Sequence, residues 1–131
     1  MPERYDRDGQ GHPLYAEAVR HRDTLYLSGV APLDEAHRVI GGADAEQQAD
    51  AVFDIIRELL HAYGAGFDSI VKMTVYLRNM EDRAAVARSR ERWFAGARPA
   101  STLIEVSRLG LPDMLLEVDA IAALDMPERR L

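Results

Sequence analysis

Residues 44–77, DAEQQADAVFDIIRELLHAYGAGFDSIVKMTVYL, decide the fold of this chain. Apolar residues in the first part recur at steps of three and four, at Ala49, Val52, Phe53, Ile56, Leu59, Leu60 and Tyr63. That spacing places one apolar stripe along a helix. Asp44 followed by Gln47 is typical of a capping box, and Gly64 allows a left-handed exit. The pattern therefore predicts a helix from about Ala45 to Tyr63.

The last part of the same stretch has a different period. Apolar residues stand at every second position, and polar or amphipathic residues stand between them. The apolar set is Val71, Met73, Val75 and Leu77, and the intervening set is Lys72, Thr74, Tyr76 and Arg78. A period of two, rich in β-branched residues, predicts a strand with one buried face.

Working outward, the chain contains further strand and helix patterns. A second helix is predicted at about 81–95, after a possible Asn79 cap. Further strands are predicted at Tyr15–Arg20, Thr24–Val30, Ser101–Ser107 and Leu115–Ala123. The predicted order is ββαβαββ. Strands in hairpin pairs, with two helices laid across one face, predict an α+β sandwich of two layers with a mainly antiparallel sheet.

The remaining segments are short and polar. Residues 34–42 carry the pair Gly41-Gly42 and are expected to form either a short hairpin or a lid. Residues 126–131 are predicted to be a frayed tail. Neither a repeat nor an interdomain linker is recognisable, so residues 1–131 are expected to form a single domain.

Composition excludes several classes of protein. Cysteine is absent, which removes disulfides and thiolate chemistry and favours a reducing, cytoplasmic compartment. The first 13 residues are polar, and no apolar run is long enough for a span, so neither a signal peptide nor a membrane partner is expected. A net charge of -6 disfavours a nucleic-acid partner. The four histidines have no ligand spacing, so no metal and no cofactor are expected.

Several motifs occur together in an order that resembles the RidA/YjgF family over roughly residues 14–124. They are Leu-Tyr-Leu-Ser-Gly at 25–29, Gln47-Gln48, Ile-Val-Lys-Met-Thr-Val-Tyr-Leu at 70–77, Arg98-Pro99-Ala100, Glu-Val-Ser-Arg-Leu at 105–109, and Leu-Glu-Val-Asp-Ala-Ile-Ala at 116–122. The resemblance implies a chorismate-mutase-like fold and a homotrimer that binds small molecules in clefts between adjacent subunits. Deaminating members of the family hydrolyse an enamine or imine and release ammonia.

The chain differs from deaminating members of the family at the positions that bind the substrate. Deaminating members carry an arginine just after the Pro-Ala pair, and its fork binds the substrate carboxylate. Here that position is Ser101. A family asparagine falls on Ala87, and a family glutamine falls on Val30. The resemblance therefore does not imply a generalist 2-iminoacid deaminase.

Three family positions facing the cleft are retained, at Tyr15, Ser28 and Glu117. On a strand between Leu116 and Val118, the Glu117 carboxylate would be partly desolvated and could act as acid or base. Glu117 could instead belong to the solvent-exposed face of an amphipathic strand, and Tyr15 could equally be an interface aromatic. The resemblance implies catalytic roles for Glu117 and Tyr15, and a substrate-binding role for Ser28.

Two further positions are candidate substrate-binding residues. Ser101 occupies the place of the family arginine. Arg108 could replace the missing clamp, although a structural salt bridge in the turn after the strand is the better explanation.

Two functions from different classes follow from these residues. The first is hydrolysis of a C=N or enamine bond in a pathway-specific metabolite, with Tyr15 and Glu117 at the reacting centre. The second is a non-catalytic trimer that kept the fold and the cleft and binds a small molecule or another protein.

Overall fold

The computed structural model describes residues 1–125, so the predicted frayed tail at 126–131 lies outside the described residues. The longer elements, in chain order, are β1 (Glu3–Tyr5), β2 (Ala18–His21), β3 (Thr24–Val30), α1 (Ala45–His61), β4 (Ile70–Leu77), α2 (Arg83–Phe94), β5 (Ala100–Glu105) and β6 (Leu116–Ala123).

The strands form one sheet in the order β1-β2-β3-β6-β4-β5. Neighbouring strands are antiparallel except β4 and β5, which are parallel. Both helices pack on one face of this sheet and close the core against it. The predicted fold class, an α+β sandwich with a mainly antiparallel sheet covered on one face by two helices, is confirmed.

Two details of the predicted strand arrangement were wrong. The order ββαβαββ omitted β1, because Glu3–Tyr5 is too short and polar to produce a periodic pattern. The last two strands do not form a hairpin, since β4 lies between β5 and β6 in the sheet. Insertion of a distant strand between two consecutive ones is a long-range pairing that local turn signals do not record.

Helix α1 forms where the apolar period predicted it. The Asp44 side chain accepts hydrogen bonds from the backbone N–H groups of Glu46 and Gln47, at 3.0 and 3.1 Å. Val52, Phe53 and Ile56 on the apolar stripe are fully buried. The helix ends at His61, two residues before the predicted end, and Gly64 adopts a φ of +68° in the turn that follows.

Strand β4 departs from strict alternation at its start. A register shift between Ile70 and Lys72 inserts one residue opposite β6, and Val71 is 43% exposed as a result. Met73, Val75 and Leu77 face the core as the period-two pattern requires, and the bulge turns Ile70 toward the core in place of Val71. The prediction that Val71 faces the core was therefore wrong.

Asp50 joins the two helices. Its carboxylate accepts hydrogen bonds from Ser89 Oγ at 2.6 Å and from Trp93 Nε1 at 2.9 Å, and it also pairs with Arg92. Partial burial acts to raise the pKa of Asp50, but the donors on α2 outweigh it and leave that pKa below its ordinary value. The charged form of Asp50 therefore fixes α2 against α1.

Gln48 is a fully buried polar residue on α1 that joins three segments. Its Nε2 donates to the carbonyl oxygens of Gly42 at 2.6 Å and Asp113 at 2.9 Å. Its Oε1 accepts from the backbone N–H of Leu115 at 2.8 Å. One side chain thus connects the entry to α1 with the loop that leads into β6.

Residues 34–42, predicted as a hairpin or a lid, form a short hairpin. Leu33 and Val39 make an isolated antiparallel bridge, and the Asp34 N–H donates to the Arg38 carbonyl oxygen at 2.9 Å. Since Gln48 binds the Gly42 carbonyl oxygen, the C-terminal end of this hairpin is fixed to the core.

Candidate active site

The face of the sheet that the helices leave uncovered, called here the open face, carries the candidate chemistry. Alternation along β6 buries Leu116 and Val118 under the helices and directs Glu117 and Asp119 to the open face. Tyr76 of β4 pairs directly with Glu117, so it shares this face. The open face therefore combines two carboxylates and a phenol.

Glu117 is held close to the backbone of β3. A Cβ atom built on Gly29 would overlap the Glu117 Oε1 atom, so the carboxylate occupies space that any other residue at 29 would fill. Glu117 is partly buried. Burial, and then the neighbouring charge of Asp119, raise the pKa of Glu117. A carboxyl group tuned in this direction can exchange protons closer to neutral pH than an exposed one.

Tyr76 and Asp119 support this carboxylate from the neighbouring positions. The Tyr76 hydroxyl donates a hydrogen bond to Asp119 Oδ2 at 3.0 Å. That bond to a carboxylate, followed by burial, raises the pKa of Tyr76 and keeps the phenol protonated. Tyr76 was not predicted as a site residue, although its place between Val75 and Leu77 already assigned it to the face opposite the core.

Ser28 positions the segment that carries Tyr15. The Ser28 hydroxyl donates to the Ala16 carbonyl oxygen at 2.6 Å, and the Ser28 N–H donates to the Glu17 carbonyl oxygen at 2.9 Å. The Tyr15 ring is 58% exposed and stacks on His12 with the ring centroids 4.4 Å apart.

The backbone next to Tyr15, the Ser28 side chain and the Glu117 carboxylate therefore lie along the same end of β3. Ser28 precedes Gly29, whose backbone lies against the Glu117 carboxylate. Within residues 1–125 the Tyr15 hydroxyl makes no hydrogen bond, and it is accessible to a ligand.

Ser101 lies on the other side of the sheet. It pairs in register with Met73, a buried core residue, so its side chain is directed toward the helices, at the β5 edge. Its hydroxyl accepts a hydrogen bond from Arg90 Nη1 of α2 at 2.9 Å. Ser101 and Glu117 thus occupy opposite faces of the sheet and cannot line one pocket within a single chain. Arg90 was not predicted as a site residue.

Arg108 is exposed in the segment after β5. In the part of the chain that the structure describes, it forms no ion pair, so the structural salt bridge considered for it is not present there. Within residues 1–125, no hydrogen bond or ion pair joins Arg108 to the other candidate site residues.

A separate groove of about 410 Å³ lies at the start of α1, lined by Ile40, Gly41, Gln47, Asp50, Ala51, Asp54 and Trp93. It lies on the helical side, away from Glu117.

Residues 1–125 contain no cluster of three or more metal-ligating side chains that could hold an ion. No helix in the same range combines the length and the apolar character that crossing a membrane requires.

A family model described as Endoribonuclease L-PSP matches residues 11–124. Among curated relatives, a RutC family protein of Pyrococcus horikoshii is 33% identical over 108 residues, which cover 82% of this chain and 85% of the relative. The chain belongs to the RidA/YjgF family.

Other RidA/YjgF relatives agree in sequence and in fold. The 3-aminoacrylate deaminase RutC of Acinetobacter baylyi is 30% identical over 117 residues, covering 88% of this chain and 92% of that protein. The crystal structure of YyfA, a Rid family protein of Yersinia pestis, superposes with a TM-score of 0.86 at 26% identity. That superposition covers 94% of this chain and 99% of YyfA. The chorismate-mutase-like fold expected from the resemblance is thereby confirmed.

Proposed function

We propose that residues 1–131 form a single RidA-like domain that hydrolyses the enamine or imine bond of a small, pathway-specific metabolite in a cleft between subunits. The observation that carries the proposal is the Glu117 carboxylate, which lies against Gly29 on the open face with its pKa raised. Tyr15 and Ser28, gathered at the same end of β3, are the proposed partners of Glu117.

The chemistry requires a group that takes a proton and later returns it. An enamine first gains a proton on carbon and becomes an iminium. Glu117 accepts a proton from water as the water oxygen bonds to the C=N carbon, which gives a carbinolamine. The protonated Glu117 then returns that proton to nitrogen, the C–N bond breaks, and ammonia leaves. The hydroxyl proton passes to solvent as the carbonyl forms, which balances the proton that the enamine took from solvent onto carbon. Tyr15 and Ser28 orient the water and the substrate.

The relatives support this class of reaction. The Acinetobacter baylyi relative is named a 3-aminoacrylate deaminase, and 3-aminoacrylate is an enamine that also carries a carboxylate. The proposed substrate of this chain belongs to the same chemical class. The proposed substrate is not a short 2-imino acid, because Ser101 replaces the arginine with which deaminating members bind such substrates.

The proposed activity is tested by ammonia release above the uncatalysed rate. Enamines and imines are generated in place by an amino-acid oxidase or a lyase acting on a panel of amino acids. We expect turnover with a subset of longer or substituted substrates and little with short 2-imino acids, since charge-assisted bonds of about 1.5 to 3 kcal/mol are lost at Ser101. Turnover of short imino acids at a generalist's rate would contradict the proposed selectivity.

A homotrimer is part of the proposal. Tyr26 and Ile104 expose apolar surface on the open face, at 46% and 45% exposure, and a neighbouring subunit packed on that face would bury it. Glu117 and Ser101 face opposite sides of the sheet, so residues from both reach one ligand only if neighbouring subunits each contribute one side.

Light scattering is expected to give a mass near three times the 14.6 kDa of one chain. Ile104→Asp is expected to shift that mass toward the monomer, because it places a charge in the proposed interface. Ile40→Asp changes a similarly exposed isoleucine on the helical side and is expected to leave the mass unchanged. A wild-type mass near 14.6 kDa at micromolar concentration would contradict the trimer.

The alternative is a trimeric binding or interaction module without catalysis. It is favoured by Val30, which is 6% exposed and belongs to the core, and by Ala87, an exposed residue without a polar group where deaminating members have asparagine. In a thermal-shift screen, ligands at a hundred times their Kd add about 2.7 kcal/mol of apparent stability. Ligands that stabilise the protein while no enamine or imine is turned over would favour this alternative.

The nuclease activity named in the family description is not part of the proposal. A net charge of -6 opposes binding of a polyanion, and Glu117 and Asp119 place part of that negative charge on the open face. Within residues 1–125, no pair of histidines lies there for acid–base cleavage of RNA.

A further inference from the structure

Arg90 on α2 is a partly buried cation without a carboxylate partner in the described part of the chain. Its only hydrogen bond there runs from Nη1 to the Ser101 hydroxyl oxygen at 2.9 Å. Its guanidinium lies over the Phe94 ring, 5.4 Å from the ring centroid. Burial lowers the pKa of Arg90, with no neighbouring anion to raise it.

Two other arginines on the same helix have ordinary structural partners. Arg88 pairs with Glu46 at 2.9 Å, and Arg92 pairs with Glu46 and Asp50 at 2.6 and 2.8 Å. Both of these ion pairs join α2 to α1. Arg90 instead extends away from these ion pairs toward the edge of β5. Among the described residues, no carboxylate there pairs with it.

The surroundings of Arg90 fix its direction and leave most of its donors free. A guanidinium has five N–H donors, and one is engaged by the neutral Ser101 hydroxyl. The Phe94 ring supports one side of the guanidinium plane. Ala100, Ser101 and Thr102 on the edge strand are exposed, so a ligand can approach this end of the guanidinium.

We infer that Arg90 is the anion-binding residue of this protein and that its ligand carries a carboxylate. A partly desolvated guanidinium held in place by Ser101 and Phe94 binds a planar carboxylate through two parallel N–H···O bonds, a geometry that a hydroxyl cannot supply. The inference rests on the proposed function in one respect: this carboxylate is that of the enamine or imine substrate.

The inference also describes how the substrate is held. The cation comes from helix α2 instead of from strand β5, so the carboxylate is bound at a different place from that of a fork rooted at position 101. Because Arg90 contacts Ser101, it lies on the side of the sheet opposite Glu117. One subunit's Arg90 therefore binds the carboxylate while the Glu117 of a neighbouring subunit faces the C=N bond.

Calorimetric titration at low salt tests the inference without any turnover. The probes are pyruvate, a longer 2-oxo acid and benzoate, each compared with its primary amide. We expect the wild type to bind at least one acid more tightly than its amide. Arg90→Gln is expected to lower the affinity for that acid by about tenfold or more. Arg90→Lys is expected to bind with intermediate affinity, because lysine keeps the charge and loses the fork.

Arg83→Gln is the matched control. It removes an exposed arginine two helical turns earlier and changes net charge equally, so it is expected to leave acid binding unchanged. Equal affinity for acids and amides in the wild type would overturn the inference, whatever the variants do. So would equal weakening by Arg83→Gln and Arg90→Gln. Acid binding that depends on Arg90, without any turnover, would support the inference and contradict the proposed function.

Discussion

Glu117→Gln is expected to lower turnover by about 100-fold or more, because the amide keeps the shape of the side chain and cannot exchange the proton. The proposed reaction needs the carboxylate twice, first as base toward water and then as acid toward nitrogen. The measurement is the rate of ammonia release by wild type and variant on the same enamine or imine. Glu35→Gln changes an exposed glutamate in the hairpin at 34–42 and serves as the control.

The same substitution is expected to raise the melting temperature at neutral pH. Burial and Asp119 raise the pKa of Glu117 above its ordinary 4.5, so the folded state holds the proton more tightly than the unfolded state. The carboxyl group therefore contributes stability that is fully present below pH 4.5 and lost as pH rises through the folded-state pKa. Glutamine does not titrate, so its advantage over glutamate exists at pH 7 and disappears in acid.

Gly29→Ala tests the same site from β3, the strand that neighbours β6. The added Cβ overlaps Glu117 Oε1, so the carboxylate is displaced while its charge is kept. Turnover is expected to fall as it does in Glu117→Gln. Gly110→Ala is the matched control, because its Cβ would meet only the Met114 sulfur at 4.0 Å. Undiminished turnover in both Glu117→Gln and Gly29→Ala would show that Glu117 has no catalytic role and only belongs to the solvent-exposed face of the strand.

Gln48→Leu is expected to lower the free energy of unfolding by about 3 kcal/mol, since each buried polar group left without a partner costs about 1 to 3 kcal/mol. The carbonyl oxygens of Gly42 and Asp113 lose a donor, and the Leu115 N–H loses an acceptor. Leucine has a similar size, so the loss comes from these unpaired groups and not from a cavity.

Denaturant unfolding at one fixed protein concentration measures the effect of Gln48→Leu, because the stability of an oligomer depends on concentration. Gln47→Leu is the matched control: it changes an exposed glutamine beside Gln48 and is expected to stay within about 0.5 kcal/mol of wild type. If both variants unfolded at the same midpoint, Gln48 would not be the connection between α1 and the loop before β6 that its contacts indicate.

The parts of the fold that sequence predicted are those in which one local pattern decides the structure. Apolar residues at steps of three and four after Asp44 define α1. Alternation of apolar and polar residues from Met73 to Leu77 defines the buried face of β4. Strand β1 and the bulge at Val71 were missed because neither produces a period. The separation of β5 from β6 was missed because it depends on where β4 inserts.

The candidate site was less accessible to sequence reasoning than the fold. Tyr15, Ser28 and Glu117 were selected through the family resemblance, and their gathering near Gly29 depends on contacts between segments far apart in the chain. Tyr76 and Arg90 were missed because their importance comes from their partners, Asp119 and Ser101. An arginine in a helix rich in arginines has no local feature that marks it as lacking a carboxylate.

Mixing subunits tests most directly the central claim, a hydrolytic site that takes Glu117 from one chain and Arg90 from its neighbour. Trimers of Glu117→Gln alone and of Arg90→Gln alone are both expected to release little ammonia at low substrate concentration. In each mixed trimer one interface joins an intact Arg90 to an intact Glu117, so random reassembly of equal amounts restores about a quarter of the wild-type sites. Recovery of ammonia release to about that fraction is the predicted result. No recovery, in mixtures shown by mass to contain mixed trimers, would contradict a site shared between subunits.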